Sequence, residues 1–421
     1  MLEASIVIPT YNRRELLRRS LESLSEQTMS PSKYEVIICD DGSTDGTPEM
    51  VHNVQQNGLN VRYMTIRRSD GIGITRKRNA GIRKAAGRVI ISADAGVLFH
   101  PEFVESHVSA HHDNPRSVVI GPIFGYDLTE LPRYLLSWSD GELAGCINFE
   151  DTSLRDPREE VFQSLNDVID QWCAPWYLAW TANVSWERTD LHYIGGFDED
   201  LKYYGLEDIE LAYRFYRSNF KFVLERHASV FHLPHERLSQ QELEIQGAAN
   251  KRAFYFKHPS TDVEILDTEP NSKGIERIIR YVRTLDRMDL NVHSLDYLAD
   301  KIKERISETV LVGMWNPTNK YRPSLAILPT APLVNKALQI GWNVRLGCGI
   351  QTDCDDKSFE FALVGAIPEG FFEGQVRSLL TEMLRISKVV LVCAESANKV
   401  PQSLFKAYEY DAGWLGVDKA D

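Results

Sequence analysis

A chain of 421 residues exceeds what one ordinary hydrophobic core organises, so two domains are expected. Its 43% hydrophobic and 25% charged residues are those of a globular protein, and no apolar run approaches the ~18–20 residues that span a bilayer. A net charge of −13, from 47 basic and 60 acidic residues, excludes a general nucleic-acid binder, which needs a basic footprint.

The run Ala4-Ser5-Ile6-Val7-Ile8-Pro9 is too short for a signal-peptide core and reads as a buried strand over 5–9, so a cytoplasmic location is expected. Residues 13–27 follow as a helix with Leu17, Leu21 and Leu24 on one face. A second strand spans 35–39, and Asp45 caps a helix to about 56 with Pro48 in its first turn. A third strand covers 61–66, a helix ended by Gly87 covers 74–86, and a fourth strand covers 89–93. Pro101 opens another helix, and 118–121 is a fifth strand. This alternation predicts an α/β fold with a mainly parallel, Rossmann-like sheet covered by helices on both faces.

In open sheets of this kind ligands bind beyond the carboxyl ends of the strands. Those ends carry Thr10-Tyr11-Asn12, Asp40-Asp41-Gly42-Ser43 and Ser92-Ala93-Asp94. A dehydrogenase is excluded, because no glycine follows the first strand where a dinucleotide fold needs several. Between Arg62 and Arg88 stand nine Lys or Arg residues and one acid, Asp70. They read either as a solvated helix face or as a positive wall for a diphosphate-like anion. The six cysteines have no paired spacing, so neither a zinc site nor a disulfide framework is expected.

His107 and His111 share a helix face at metal-pair spacing, but with no acid organised beside them a solvated face is expected. Residues 123–180 lose the alternation and are rich in aromatics: Tyr134, Trp138, Phe149, Trp172, Trp176, Tyr177 and Trp180. Such density is more often packing than a ligand platform, although those from Trp172 to Trp180 are placed to stack on sugar faces. A strand resumes at 182–186, a helix at 206–218, strands at 220–224 and 228–232, and a polar helix at about 239–257. His258-Pro259-Ser260 and Glu269-Pro270-Asn271-Ser272-Lys273-Gly274 punctuate a linker. The expected domains are 1–262, a connection over 263–290, and a second α/β domain over 291–421.

The blocks Ser5-Ile6-Val7-Ile8-Pro9-Thr10-Tyr11-Asn12 and Cys39-Asp40-Asp41-Gly42-Ser43-Thr44-Asp45-Gly46 come first. Arg78-Asn79-Ala80-Gly81 and Ser92-Ala93-Asp94 follow, and together these resemble family 2 glycosyltransferases of the GT-A fold. Gly195-Gly196-Phe197-Asp198-Glu199 with Gly205-Leu206-Glu207-Asp208-Ile209-Glu210-Leu211 resembles the carboxyl half of galactosyltransferase-like members. The resemblance covers about residues 4–258. It implies a nucleotide-diphosphate sugar as donor, a UDP-sugar in the first instance, and a glycan or small-molecule hydroxyl as acceptor. Donor contacts are then expected from Pro9, Thr10, Tyr11, Asp40 or Asp41, Arg78, Ser92, Ala93 and Asp94.

Members usually carry Asp-x-Asp where this chain has Ser92-Ala93-Asp94. The second acid, the usual direct ligand of Mn2+ or Mg2+, is kept, so Asp94 is the metal candidate. His232, ending an apolar run, is the expected second ligand, with His235 in reserve. Family precedent makes Asp208 the general base of an inverting transfer and Glu207 the holder of acceptor hydroxyls, joined by Trp176 and Trp180. A non-catalytic sugar-nucleotide-binding or scaffold protein is the alternative, motivated by Ser92. Oligomeric state is left open.

Residues 275–421 carry strand-like runs at 309–314, 343–346, 359–364 and 389–393, with a helix at 375–386. This half faintly resembles class I methyltransferases, which raises a bifunctional enzyme. The loop Val312-Gly313-Met314-Trp315-Asn316-Pro317 has one glycine where a cofactor turn needs more, so a structural or acceptor-binding module is expected.

Overall fold

The computed structural model describes residues 2–66, 73–131, 133, 139, 154–203, 205–236, 239–265, 293–294, 309–313, 315–317, 322–350, 352–365, 373–393, 405–410 and 414–419. Tyr134, Trp138, Phe149, Arg67, Arg68, Asp70 and the polar run 269–274 lie outside these residues. The chain divides into two compact units, Met1–Asn250 and Lys251–Asp421.

In the first unit β1 (Ala4–Thr10), β2 (Tyr34–Asp40) and β3 (Val61–Thr65) run parallel, and β4 (Val89–Ala93) lies parallel on the other side of β1. β1 and β2 are buried at every position, which is why they read as unbroken apolar runs rather than alternating ones. Helix α1 (Arg14–Ser25) covers them with Leu17, Leu21 and Leu24, each fully buried. Helices α2 (Thr47–Gln56) and α3 (Ile74–Lys84) complete the crossovers. Asp45 does not sit at the cap position of α2, which belongs to left-handed Gly46. Its carboxylate instead accepts from the Thr47 and Arg14 amides at 3.2 and 2.9 Å.

The sheet is mainly parallel. Its seven strands lie in the order β3-β2-β1-β4-β8-β6-β9, with β6 (Ser117–Ile120), β8 (Asn183–Glu187) and β9 (Lys221–Leu224). The exception is β8, antiparallel to both β4 and β6. A smaller sheet sets β10 (Val230–His232) between β5 (Val97–Phe99) and β7 (Ile123–Phe124), pairing His232 with Val97 and Phe231 with Phe124. It draws the segments after β4, β7 and β10 together. That convergence builds the site.

Helix α4 (Phe103–Asp113) overturns the expectation for its histidines. His107 and His111 are buried, not solvated, because each finds a polar partner under the helix. His107 bonds Asn183 at 3.0 Å and the Ser185 hydroxyl at 2.8 Å, and His111 bonds Ser185 at 2.9 Å. Burial pushes their pKa values down to about 4 and about 3, so both are neutral. Beyond them lie α5 (Glu159–Ser164), α6 (Arg188–Ile194), α7 (Glu207–Arg217) and α8 (Gln240–Lys257).

The second unit opens on the end of α8 and α9 (Thr261–Ile265). Glu264 on α9 accepts the backbone amides of Cys348 and Ile350, both at 2.6 Å, and so fastens the helix to that unit. A two-residue strand, β11 (His293–Ser294), pairs with β13 (Trp315–Asn316). The main sheet has seven strands in the order β15-β14-β12-β16-β17-β19-β18. They are β12 (Thr309–Val312), β14 (Leu325–Leu328), β15 (Val344–Leu346), β16 (Phe359–Val364), β17 (Ser387–Cys393), β18 (Phe405–Tyr410) and β19 (Trp414–Lys419). Helices α10 (Ala331–Gln339) and α11 (Glu373–Ile386) also belong here. The chain winds outward from β12 on one side, then returns beside it with β16, a doubly wound α/β arrangement. Among the described residues no helix is long and apolar enough to cross a membrane.

Candidate active site

The parallel register sets Thr10 opposite Asp40, so the loops after β1 and β2 open on one edge, and Asp94 follows β4 directly. The two acids after β2 have different lives. Asp40 is consumed by its own loop: the Ser43 amide lies 3.0 Å away and its hydroxyl 2.5 Å, and the Tyr63 hydroxyl also donates to it. Burial, helped by the Asp40 charge, pushes the Tyr63 phenol up. Asp41 accepts from Lys77 Nζ at 2.9 Å through Oδ2, while its buried Oδ1 has no hydrogen-bond partner among the described residues. The second acid therefore keeps an acceptor in hand.

Several members of the basic run between Arg62 and Arg88 are paired with acids. Arg62 pairs with Glu35, Lys77 with Asp41, Arg83 with Glu199 and Arg88 with Glu187. Arg78 is buried, and its two terminal nitrogens reach Asp94 Oδ1 at 3.0 Å and Glu207 Oε1 at 3.1 Å. A buried guanidinium is tolerated only when paired this way, and the carboxylates around it hold its pKa up against burial. One cation thus ties the strand end bearing Asp94 to the helix start bearing Glu207.

Helix α7 begins on that pair. Gly205 and Leu206 both have positive φ, +93° and +68°. A leucine rarely adopts this conformation, and the surroundings must hold it there. The holder is Asn250 on α8, itself buried. Its amide donates 2.7 Å bonds to the Tyr203 and Gly205 carbonyls and accepts from the Tyr203 amide at 3.3 Å. The turn aims Asp208 inward, where its carboxylate accepts from the Thr181 amide at 3.4 Å and its own helix at Ile209, 2.8 Å. Burial first, and then the neighbouring Glu207 charge, push Asp208 up to about 7, against the opposing pull of Arg78. Glu207 Oε2 is buried without a hydrogen-bond partner among the described residues.

Two cavities meet here. One, of about 430 Å³, is lined by Pro9, Thr10, Tyr11, Arg13, Ile74, Lys77, Asp94, Ala95, Tyr126, His232 and His235. The other, of about 250 Å³, is lined by Ile74, Arg78, Asp94, Tyr126, Tyr177, Trp180, Thr181, Ala182 and the segment 205–209. Of the expected donor residues, Pro9, Thr10, Tyr11 and Asp94 reach the first cavity. Arg78 lines the second, and Ser92 and Ala93 are buried in β4. His232 and His235 stand together, rings 5.1 Å apart, in the same cavity as Asp94. Trp180, Glu207 and Asp208 line the second cavity. Trp176 does not: its ring is fully buried against Tyr213, 4.9 Å away, as core.

Arg13, Tyr126, Thr181 and Asn250 were not expected at the site, and Lys77 was expected only as one of the basic run between Arg62 and Arg88. Tyr126 and Asn250 carry no local signal, because only the fold brings them in. Among the described residues no three His, Cys, Asp or Glu side chains converge as a ready metal cluster. Asp94, with one oxygen on Arg78, and His232 suit an ion that draws its other ligands from a diphosphate.

Comparison with known proteins agrees with this frame. The profile of glycosyl transferase family 2 matches residues 5–169, and that of the N-terminal domain of galactosyltransferase matches residues 172–258. Over 347 residues the chain is 34% identical to validoxylamine A glucosyltransferase of Streptomyces hygroscopicus subsp. limoneus, covering 79% of this chain and 74% of that one. It is 30% identical over 260 residues to the uncharacterized glycosyltransferase YfnE of Bacillus subtilis (strain 168), covering 56% of this chain and 65% of the relative. A solved structure, S. aureus TarS 1-349 in complex with UDP-GlcNAc, aligns at 18% identity and a TM-score of 0.45, covering 68% of this chain and 72% of that one. With the sequence match spanning most of a named glucosyltransferase and both cavities lined by the matched motifs, the chain belongs to glycosyltransferase family 2 and is a glycosyltransferase.

Proposed function

We propose that this enzyme is an inverting, divalent-cation-dependent transferase that moves a sugar from a UDP-sugar to a hydroxyl acceptor, with its chemistry confined to residues 1–262. In this reading 263–290 is a connection, and 291–421 is a module without catalytic groups. The observation that carries the proposal is Asp208: a half-buried carboxylate whose pKa is raised to about 7, in a cavity that shares Asp94 with the cavity of the nucleotide-binding motifs. A general base works best with a pKa near the working pH.

The free Oδ1 of Asp41 accepts the base N–H of the nucleotide, and Thr10 and Tyr11 line its path. Arg13 and Lys77 face the diphosphate. Asp94 and His232, which line one cavity, would hold a divalent cation, Mn2+ or Mg2+. When bound, that cation supplies Lewis-acid charge to the leaving group. On the acceptor side Glu207 Oε2 accepts a hydroxyl and Trp180 offers a ring face. Asp208 takes the proton from the attacking hydroxyl as its oxygen bonds to the anomeric carbon and the nucleoside diphosphate departs. The relative named for validoxylamine A makes UDP-glucose and validoxylamine A the first pair to test.

Titration calorimetry of UDP with Mn2+, with EDTA and with Asp94→Ala tests the cation; transfer by Asp208→Asn tests the base. Binding is expected to collapse in EDTA and in Asp94→Ala, and to persist in Asp208→Asn while transfer is lost. Equal affinity with and without the cation would remove it from the scheme. Activity of Asp208→Asn within a few-fold of the parent would move the base elsewhere.

A further inference from the structure

The two cavities share Ile74, Asp94 and Tyr126. Transfer requires the anomeric carbon and the attacking oxygen to approach within about 3–3.5 Å, so the sugar in transit must lie where the cavities join. Of the three shared side chains, Ile74 offers only an aliphatic surface and Asp94 is drawn onto Arg78. Tyr126 is the one with a flat apolar face that matches the C–H face of a pyranose.

The fold holds this ring in place from several directions. β7 ends two residues before it and is paired to β10, Phe124 against Phe231. Gly125 between them has φ +68°, and its amide donates to the Leu154 carbonyl at 2.8 Å. A Cβ at Gly125 would come to 3.0 Å from the Phe231 ring and 3.1 Å from the His232 carbonyl, tighter than ordinary contacts, so glycine eases this close approach to β10. The Tyr126 ring then packs between Trp180 and His232, at centroid distances of 5.0 and 5.3 Å. It spans from the acceptor-side aromatic to the cation-candidate histidine.

We propose that Tyr126 is the specificity-determining contact for the transferred sugar, its ring packing on the pyranose and its position deciding which hexose fits. This rests on the transferase reading above. It predicts that the sugar, and not the nucleotide, feels a change at residue 126.

The test uses the full chain with Mn2+ and compares calorimetric affinities for UDP, UDP-glucose, UDP-galactose and UDP-N-acetylglucosamine. Tyr126→Ala and Tyr126→Leu should change the ratio of UDP-sugar to UDP affinity about tenfold for the best-bound sugar and narrow the differences among sugars. UDP itself should stay within about twofold, a change of a few tenths of a kcal/mol. Tyr126→Phe should keep the wild-type ratios. The leucine variant preserves apolar bulk, so the comparison survives if the alanine variant folds poorly. Unchanged ratios in the folded variants, or no sugar-dependent affinity in the unaltered chain, would overturn the role of Tyr126. Failure of the unaltered chain to bind UDP at all would instead overturn the donor reading on which it rests.

Discussion

The side-chain amide of Asn250 lies 2.7 Å from the carbonyl oxygen of Gly205, joining a helix late in the first unit to the left-handed turn that launches Glu207 and Asp208. Asn250→Asp keeps the shape but replaces the donating amide with a carboxylate that repels both carbonyls. In that variant kcat is expected to fall roughly 10–100-fold, since small misplacements of a catalytic group cost that much. UDP affinity should stay within about twofold. Stability should drop by about 1–3 kcal/mol for the buried bonds lost. Equal kcat in Asn250→Asp and the parent would show that the turn holds itself.

As the proposed base, Asp208 would have to be ionised to accept a proton, and its pKa is raised to about 7. The transfer rate is therefore expected to climb as pH rises through about 7, and Asp208→Asn should remove that limb along with ~10²–10⁴ of the rate. Because the folded value exceeds the unfolded one, the folded state holds the proton more tightly between pH ~4 and about 7. Stability should accordingly decline as pH rises across that window, and Asp208→Asn should flatten the decline in thermal melts.

Arg78 is the buried positive charge that Asp94, Glu207 and Asp208 share. Replacing it with Met keeps much of the volume but leaves the acids unpaired, a change that costs about 3–5 kcal/mol when one partner of a buried pair is removed. Loss of its field should raise the Asp208 pKa further, so the alkaline-rising limb of the rate should shift to higher pH. A limb that stays where it was would show that Arg78 serves packing alone.

His107 and His111 are neutral in the fold, with pKa values of about 4 and about 3. Once unfolded they titrate near ~6.5, so the unfolded chain binds protons that the folded chain refuses below that pH. Stability should fall as pH drops from ~6.5 towards about 4, by up to a few kcal/mol per histidine. His107→Gln, which keeps one hydrogen-bonding end, should soften this acid sensitivity in urea unfolding followed from pH 7 to 4.5.

The main-sheet strands of the first domain and the helices between its first four strands were legible because their signals are local, whereas the short elements at 97–99, 123–124, 159–164 and 188–194 were not read. Unbroken apolar runs mark β1, β2 and β4, the leucines at helical spacing mark α1, and the acids of the site stand at strand ends that a parallel sheet must bring to one edge. Family 2 membership was legible for the same reason, since its motifs are short and contiguous. The division of labour inside the motifs was not. Asp40 and Asp41 are identical in sequence terms, and only the tertiary structure gives the first to Ser43 and Tyr63 and leaves the second an open acceptor. Trp176 and Trp180 differ by one helical turn's worth of residues, yet one is core and the other lines a cavity. His107 and His111 looked solvated because their partners, Asn183 and Ser185, come from a strand more than seventy residues away. Tyr126 and Asn250 had no mark at all. A side chain's role depends on what faces it, and for these residues what faces them arrives from distant chain, so it was decided by packing and hydrogen bonding that no local pattern encodes.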